Sequence, residues 1–137
     1  MVQTPAWKAI RTGTDLMRDP DTSPAIFVPT QLLSRLMGDQ AFAELLLDAF
    51  LEDTPKQLQR LAEQARQGQL MEVKRLAHSL KGAAGNVNAP RLQACAQVIE
   101  HAADSGNTVE VCAKLPELTG HFHELAHAIE TFKRQRR

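Results

Sequence analysis

The residues with the clearest chemical potential are a histidine, a lysine and two glycines in the segment AHSLKGAAGN, residues 77–86. At neutral pH most imidazole side chains are uncharged, so His78 has a nitrogen lone pair that can act as a nucleophile. The segment otherwise follows an apolar helical pattern, in which each glycine costs about 0.5–1 kcal/mol relative to alanine. The presence of two glycines beside a potential nucleophile therefore needs an explanation.

The explanation depends on which face of the helix these residues share. Advancing about 100° per residue from Leu80 puts His78 about 160° away, with Gly82 and Gly85 on the same side. The predicted core stripe consists of Val73, Leu76, Ala77, Leu80 and Ala84, and the histidine face is bordered by Lys74, Arg75 and Lys81. An ordinary surface histidine is the simplest interpretation of His78 alone. Missing side chains four and seven residues further on would, however, leave room for another protein to approach the imidazole.

The segment AHSLKGAAGNVNAPRLQACAQVIEHAADSG resembles the central motif of the histidine-containing phosphotransfer (HPt) domain, in which His-x-x-Lys-Gly lies on the second long helix of a bundle. The resemblance extends to FAELLLDAFLEDTPKQLQRLAEQARQGQLMEVKRLAHSLKG upstream and LPELTGHFHEL downstream, over about residues 30–134. It differs from the family pattern at Asn88, where a glycine is usual. Asparagine also tolerates a left-handed conformation, so we expect the turn to be kept.

The resemblance implies a role for each residue that matches the motif. His78 would be the phosphoacceptor, and Lys81 would stabilise charge on the phosphoryl group. Gly82 and Gly85 would lie where a partner docks. Glu100 occupies a position where the family often has a Glu or Gln that orients the imidazole, although a surface Glu needs no such role.

The implied function is that of a phosphorelay carrier rather than an enzyme with its own ATP site, and GxxxxGK[ST] and kinase motifs are absent from the sequence. The implied partners are a response-regulator receiver domain, a hybrid sensor histidine kinase, or both, and Mg²⁺ is expected on the receiver. For this chain we expect no cofactor and no metal site. The alternative is a helical adaptor that binds a receiver domain or a partner helix without phosphoryl transfer and would tolerate His78→Gln.

The apolar periodicity predicts an all-α fold, an antiparallel up-and-down four-helix bundle with one or two short helices at its N-terminal end. A short helix should precede Gly38. The next should bury Phe42, Leu45, Leu46, Ala49 and Phe50 and end near Thr54, with a new helix starting at Pro55. Further helices are expected at about 69–86, at about 89–105 and from about Thr108, and Pro116 should kink or divide the last one. We expect residues 1–26 to form a tail or linker and residues 27–137 the domain, either as a free-standing carrier or as a module of a hybrid kinase.

Bulk composition limits the classes of partner and compartment. The 16 basic and 16 acidic residues among 137 give no net field, so we expect no nucleic acid or membrane partner. We also expect the chain to be a monomer. Cys95 and Cys112 are too few for a disulfide framework and fit free thiols in a reducing compartment. Without a signal-like apolar segment or a run of 18 apolar residues, the expected location is cytoplasmic.

A second motif could indicate metal chemistry. The segment HELAH, residues 123–127, matches the HExxH pattern of zinc metalloproteases. His123 and His127 are expected to share a face opposite the apolar stripe of their helix, and an exposed helix face cannot form the cleft that a protease requires. We therefore interpret this segment as a solvated helix face or a place of adventitious metal binding in vitro.

Overall fold

The structure is a computed structural model that describes residues 24–135. Its helices are α1 (Pro29–Arg35), α2 (Gln40–Arg66), α3 (Leu70–Asn86), α4 (Pro90–Asp104) and α5 (Thr108–Gln135). Three-residue connections join the four long helices, α2 to α5. Within the described range, none of the helices has both the length and the apolar composition needed to cross a lipid bilayer.

Ion pairs show that α4 runs antiparallel to both α3 and α5. Lys74 near the start of α3 pairs with Asp104 at the end of α4. Arg91 at the start of α4 pairs with Glu124 in the second half of α5. Helix α2 contacts both α3 and α5, which closes the four long helices into a bundle, and α1 packs on α2. The predicted all-α bundle is confirmed, and residues 24–135 include one short helix at its N-terminal end.

The predicted apolar stripes of α3, α4 and α5 form most of the core. All five stripe residues of α3 are buried. So are Leu92, Cys95, Ala96, Ile99 and Ala103 of α4 and, on α5, Val111, Leu118, Phe122, Leu125, Ile129 and Phe132. Leu115, which belongs to the same predicted stripe of α5, is only partly buried. These helices therefore have the rotational orientation that their sequences predict, and His78 lies on the side of α3 away from the core.

The predicted stripe of the first half of α2 is wrong for Phe42, Leu45 and Ala49, which are exposed, while Leu46 is half-buried and Phe50 is buried. Leu45 is 66% exposed and Phe42 is 46% exposed, whereas Ala43 and Leu47 are completely buried. The consecutive leucines 45–47 fit either face at helical spacing, so the pattern does not fix the rotation of the helix. Small Ala43 lies one turn before Leu47 and allows close packing, which determines the orientation that the protein adopts.

The predicted break at Thr54–Pro55 is also wrong, since α2 continues through both residues. Thr54 is 1% exposed and belongs to the buried face, where it does not cap a new helix. Proline inside a helix costs about 3 kcal/mol or more. Phe50 and Leu61 are both buried in one core, and packing on both sides of Pro55 offsets that cost. Pro116 likewise lies within a continuous α5, so the helix is not divided.

Residues 24–28 lead into α1 along the turn between α3 and α4. The Val28 N–H donates to the carbonyl of Asn88 at 2.9 Å, and the Arg91 N–H donates to the carbonyl of Ala25 at 3.0 Å. The Phe27 ring meets the Phe132 ring edge to face, with centroids 5.8 Å apart. Residues 1–23 of the proposed tail lie outside the described range, and the division at residue 26 stays a prediction.

Candidate functional site

His78 lies in the middle of α3 on its solvent face. Its side chain is 67% exposed, and its Nδ1 atom is 2.8 Å from Oε2 of Glu100 on the neighbouring helix α4. The two residues meet because α3 and α4 run antiparallel and place them at the same level of the bundle. The contact matches the orienting position that the sequence predicted for Glu100.

Glu100 contacts two side chains of α3 at once. Its second oxygen, Oε1, is 2.8 Å from Nζ of Lys81, which lies almost one turn after His78. The carboxylate itself is only 13% exposed. The Lys81 ammonium, followed by the contact with His78, holds the pKa of Glu100 below its ordinary value against the opposing effect of burial. Glu100 is therefore ionised at neutral pH, accepts a hydrogen bond from His78 and forms an ion pair with Lys81.

The contact with Glu100 determines which imidazole nitrogen is available for reaction. An ionised carboxylate can only accept hydrogen bonds, so Nδ1 must carry the proton that it donates to Glu100. In the neutral imidazole the lone pair is then on Nε2. Because the ring is mostly exposed, His78 presents a nucleophilic nitrogen to solvent or to an approaching protein.

The two glycines of the motif have different surroundings. A Cβ built on Gly82 would meet nothing within 4 Å, so the surface beside His78 is open at this point. A Cβ on Gly85 would lie 2.8 Å from Nε2 of Gln93 on α4. The prediction that both glycines leave room for a partner therefore fits Gly82, while at Gly85 an added side chain would have to displace the end of the flexible Gln93 side chain.

Asn88 adopts the conformation expected at the turn between α3 and α4. Its φ is +59°, in the left-handed region that asparagine tolerates better than most residues. Its Oδ1 accepts from Nη2 of Arg35 at 2.9 Å, and the same guanidinium donates to the carbonyl of Asn86. The replacement of glycine by asparagine thus keeps the turn and ties it to α1.

A groove of about 580 Å³ opens beside His78 between α3 and α4. It is lined by Met71, Glu72, Lys74, Arg75, His78 and Glu100. Met71 is 80% exposed. Helical spacing places it about 180° from Leu80, on the same face as His78, although it was not among the predicted site residues. The groove therefore combines an apolar contact with cations, of which Lys74 pairs with Asp104 at 2.9 Å and Arg75 pairs with Glu72.

Comparison with known protein families supplies the identity of the fold. The family model described as the Hpt domain matches residues 45–135, about two thirds of the chain. The chain belongs to the Hpt domain family. Hpt domains act as histidine phosphotransfer carriers in two-component phosphorelays. Comparisons with curated proteins and with solved structures gave no match.

Of the remaining histidines of this Hpt domain, His101 lies in the last turn of α4, and the others lie on α5. His123 and His127 are exposed, as expected for a solvated face, and Glu124 contacts Nδ1 of His121 at 3.3 Å. The residues described by the structure do not bring the HELAH histidines into a three-ligand cluster. The motif therefore has no protease geometry here.

A different group of potential ligands meets between α4 and α5. Three ligand atoms lie within 4.8 Å of one another, one each from Cys95, Glu117 and His121. Burial, with a smaller contribution from Glu117, raises the pKa of Cys95 to about 11, so its thiol is protonated at neutral pH. Sequence spacing could not indicate this group, because it depends on the register between two helices. The sequence shows only that Glu117 and His121 are four residues apart, which is about one helical turn.

Proposed function

We propose that this Hpt domain accepts a phosphoryl group on Nε2 of His78 from an aspartyl phosphate of a receiver domain and returns it to an aspartate of the same or another receiver. The observation that carries the proposal is the contact at 2.8 Å between Nδ1 of His78 and Glu100, which leaves Nε2 as the exposed nucleophile. Receiver domains, free or within a hybrid sensor kinase, are the proposed partners, and the Mg²⁺ needed at the aspartate belongs to the receiver.

In the forward step the lone pair of Nε2 forms a bond to phosphorus while the bond from phosphorus to the aspartyl oxygen breaks. The aspartate leaves as a carboxylate, and positive charge develops on the imidazole. Glu100, which is ionised and accepts from Nδ1, stabilises that charge. The reverse step breaks the bond between Nε2 and phosphorus and restores the neutral ring.

Lys81 is the proposed cation for the phosphoryl oxygens. Its ammonium now pairs with Oε1 of Glu100 and is 25% exposed, close to the surface on which the phosphoryl group arrives. The loose transition state of phosphoryl transfer spreads charge over the equatorial oxygens, where a lysine is well suited to stabilise it. We propose that Lys81 contacts these oxygens while Glu100 retains its bond to Nδ1.

Phosphoramidate labelling tests the proposal without knowledge of the physiological kinase. Wild type, His78→Gln and the control His127→Gln are incubated with phosphoramidate, and the phosphate formed is tested for loss in acid and stability in base. His127 suits the control because it is also an exposed histidine on a long helix. The labelled proteins are then mixed with purified receiver domains and Mg²⁺.

The expected result is one acid-labile phosphate in wild type and in His127→Gln, none in His78→Gln, and transfer of the label to a receiver domain. Equal labelling of all three proteins would indicate nonspecific histidine chemistry. A receiver that binds wild type and His78→Gln equally, without taking up label, would instead support the adaptor function.

A further inference from the structure

We propose that the groove between α4 and α5 is a Zn²⁺-binding site formed by Cys95, Glu117 and His121. Cys95 comes from α4 and is buried, while Glu117 and His121 lie one turn apart on α5 and face it. Their ligand atoms lie within 4.8 Å of one another. The site shares no lining residue with the groove beside His78, and the proposal does not depend on phosphoryl transfer.

The spacing of the three ligand atoms is close to that of a bound zinc ion. Bonds of about 2.0–2.3 Å in tetrahedral geometry place neighbouring ligand atoms about 3.3–3.5 Å apart. The site therefore has to contract by little more than about 1 Å. Glu117 is 53% exposed and can supply most of that movement by changing rotamer, without disturbing the buried thiol.

The donor set favours zinc over the common hard cations. A thiolate and an imidazole are ligands for Zn²⁺ and related transition metals, whereas Mg²⁺ and Ca²⁺ require oxygen. The Cys95 thiol, which is protonated in the free protein, releases its proton to solvent as the bond between sulfur and zinc forms. Glu124 lies 3.3 Å from Nδ1 of His121, so that nitrogen can donate its proton to the carboxylate and leave the lone pair on Nε2. A carboxylate behind a ligating histidine is the usual support for such a ligand.

The surroundings leave room for a fourth ligand but also contain cations. The groove has a volume of about 430 Å³, enough for a water molecule on the metal. Lys114 is 3.4 Å from Glu117, and Arg91 is 3.7 Å from Glu124. Both cations would have to give up or share these partners when Zn²⁺ binds.

Cobalt provides a spectroscopic test, because Co²⁺ occupies zinc sites and reports thiolate ligation by a charge-transfer band in the near ultraviolet. The full chain under reducing conditions is titrated with Co²⁺ and then with Zn²⁺. Cys95→Ser removes the proposed thiolate, and Cys112→Ser is the matched control because Cys112 is the exposed free thiol. Glu124→Gln tests whether the carboxylate that accepts from His121 strengthens metal binding. His127→Gln tests whether the exposed histidines of α5 bind the metal instead.

We expect one equivalent of Co²⁺ to give the charge-transfer band in wild type, Cys112→Ser and His127→Gln, and Zn²⁺ to displace it. Cys95→Ser should lose the band, and Glu124→Gln should bind about tenfold to a hundredfold more weakly. Circular dichroism checks that each variant is folded. The proposal is overturned by the absence of a thiolate band in wild type, by a band that disappears with Cys112, or by histidine-only binding that disappears with His127.

Discussion

Replacing Glu100 by glutamine tests the most specific feature of the candidate site, the carboxylate that contacts both His78 and Lys81. Glutamine has nearly the same shape but one acceptor oxygen and no charge. It can accept from Nδ1 of His78, but its amide group then faces the Lys81 ammonium, donor against donor. We expect the variant to fold normally and to transfer phosphoryl groups more slowly.

The magnitude follows from replacing a hydrogen bond to a charged carboxylate by one to a neutral amide. Hydrogen bonds to charged groups contribute about 1.5–3 kcal/mol and neutral ones about 0.5–1.5 kcal/mol, so the replacement costs about 1 kcal/mol. The contact strengthens as positive charge develops on the ring, so this cost falls on the transition state. A loss of about 1 kcal/mol slows transfer about fivefold, and the 67% exposure of His78 argues against a larger effect.

The assay compares rates of phosphorylation by phosphoramidate and of transfer to a receiver domain. Glu72→Gln is the matched control, because Glu72 lines the same groove but pairs with Arg75 and does not contact the imidazole. The reasoning is refuted if Glu100→Gln transfers at the wild-type rate, or if Glu72→Gln slows transfer as much.

Further expectations concern the fold, the turn, the open surface and acid stability. Leu47→Ala should lower the free energy of unfolding in urea by about 2–5 kcal/mol while Leu45→Ala changes it by about 0.5 kcal/mol or less; the reverse order would contradict the observed rotation of α2. Asn88→Ala should cost about 1–2 kcal/mol and Asn88→Gly less, because only the alanine is strained at positive φ; equal losses would assign the effect to the side-chain contacts alone. Gly82→Leu should keep its helical circular dichroism and lose transfer to receivers, and a loss of helicity would show that the glycine is structural. Since the folded pKa of Glu100 is below its ordinary value of 4.5, its contribution to stability is present above that value and lost as pH falls through the folded pKa. Wild type should therefore lose more stability than Glu100→Gln between neutral pH and about pH 3.5, and identical acid profiles would refute this.

The sequence predicts α3 and α4 well because each has a single apolar stripe with polar residues on the other faces. In α2 the run of leucines 45–47 and the pair Thr54–Pro55 obey local rules that tertiary packing overrides. The helix passes through Pro55 because residues before and after it are buried in the same core. Local pattern cannot supply that information, since the packing partners lie far away in sequence.

In the candidate site, too, some features could be predicted from the sequence and others required the assembled helices. His78, Lys81 and Gly82 lie within one segment, so helical spacing and the family resemblance were enough to find them. The position of Glu100 followed from the resemblance, but its simultaneous contact with Lys81 required the register between α3 and α4. The same limit applies to Gly85, whose close approach to Gln93 is visible only when the two helices are assembled.

The unequal lengths of the helices bear on where the folding unit starts. Helices α2 and α5 have 27 and 28 residues, whereas α3 and α4 have 17 and 15. The longer pair extends past the turn between α3 and α4, and residues 24–28 with α1 fill that end, where Leu32 is completely buried. The family match begins only at residue 45, inside α2. An expression fragment cut at the matched boundary would expose the end of the core, so we expect the unit that folds independently to be longer than the segment by which the family is detected.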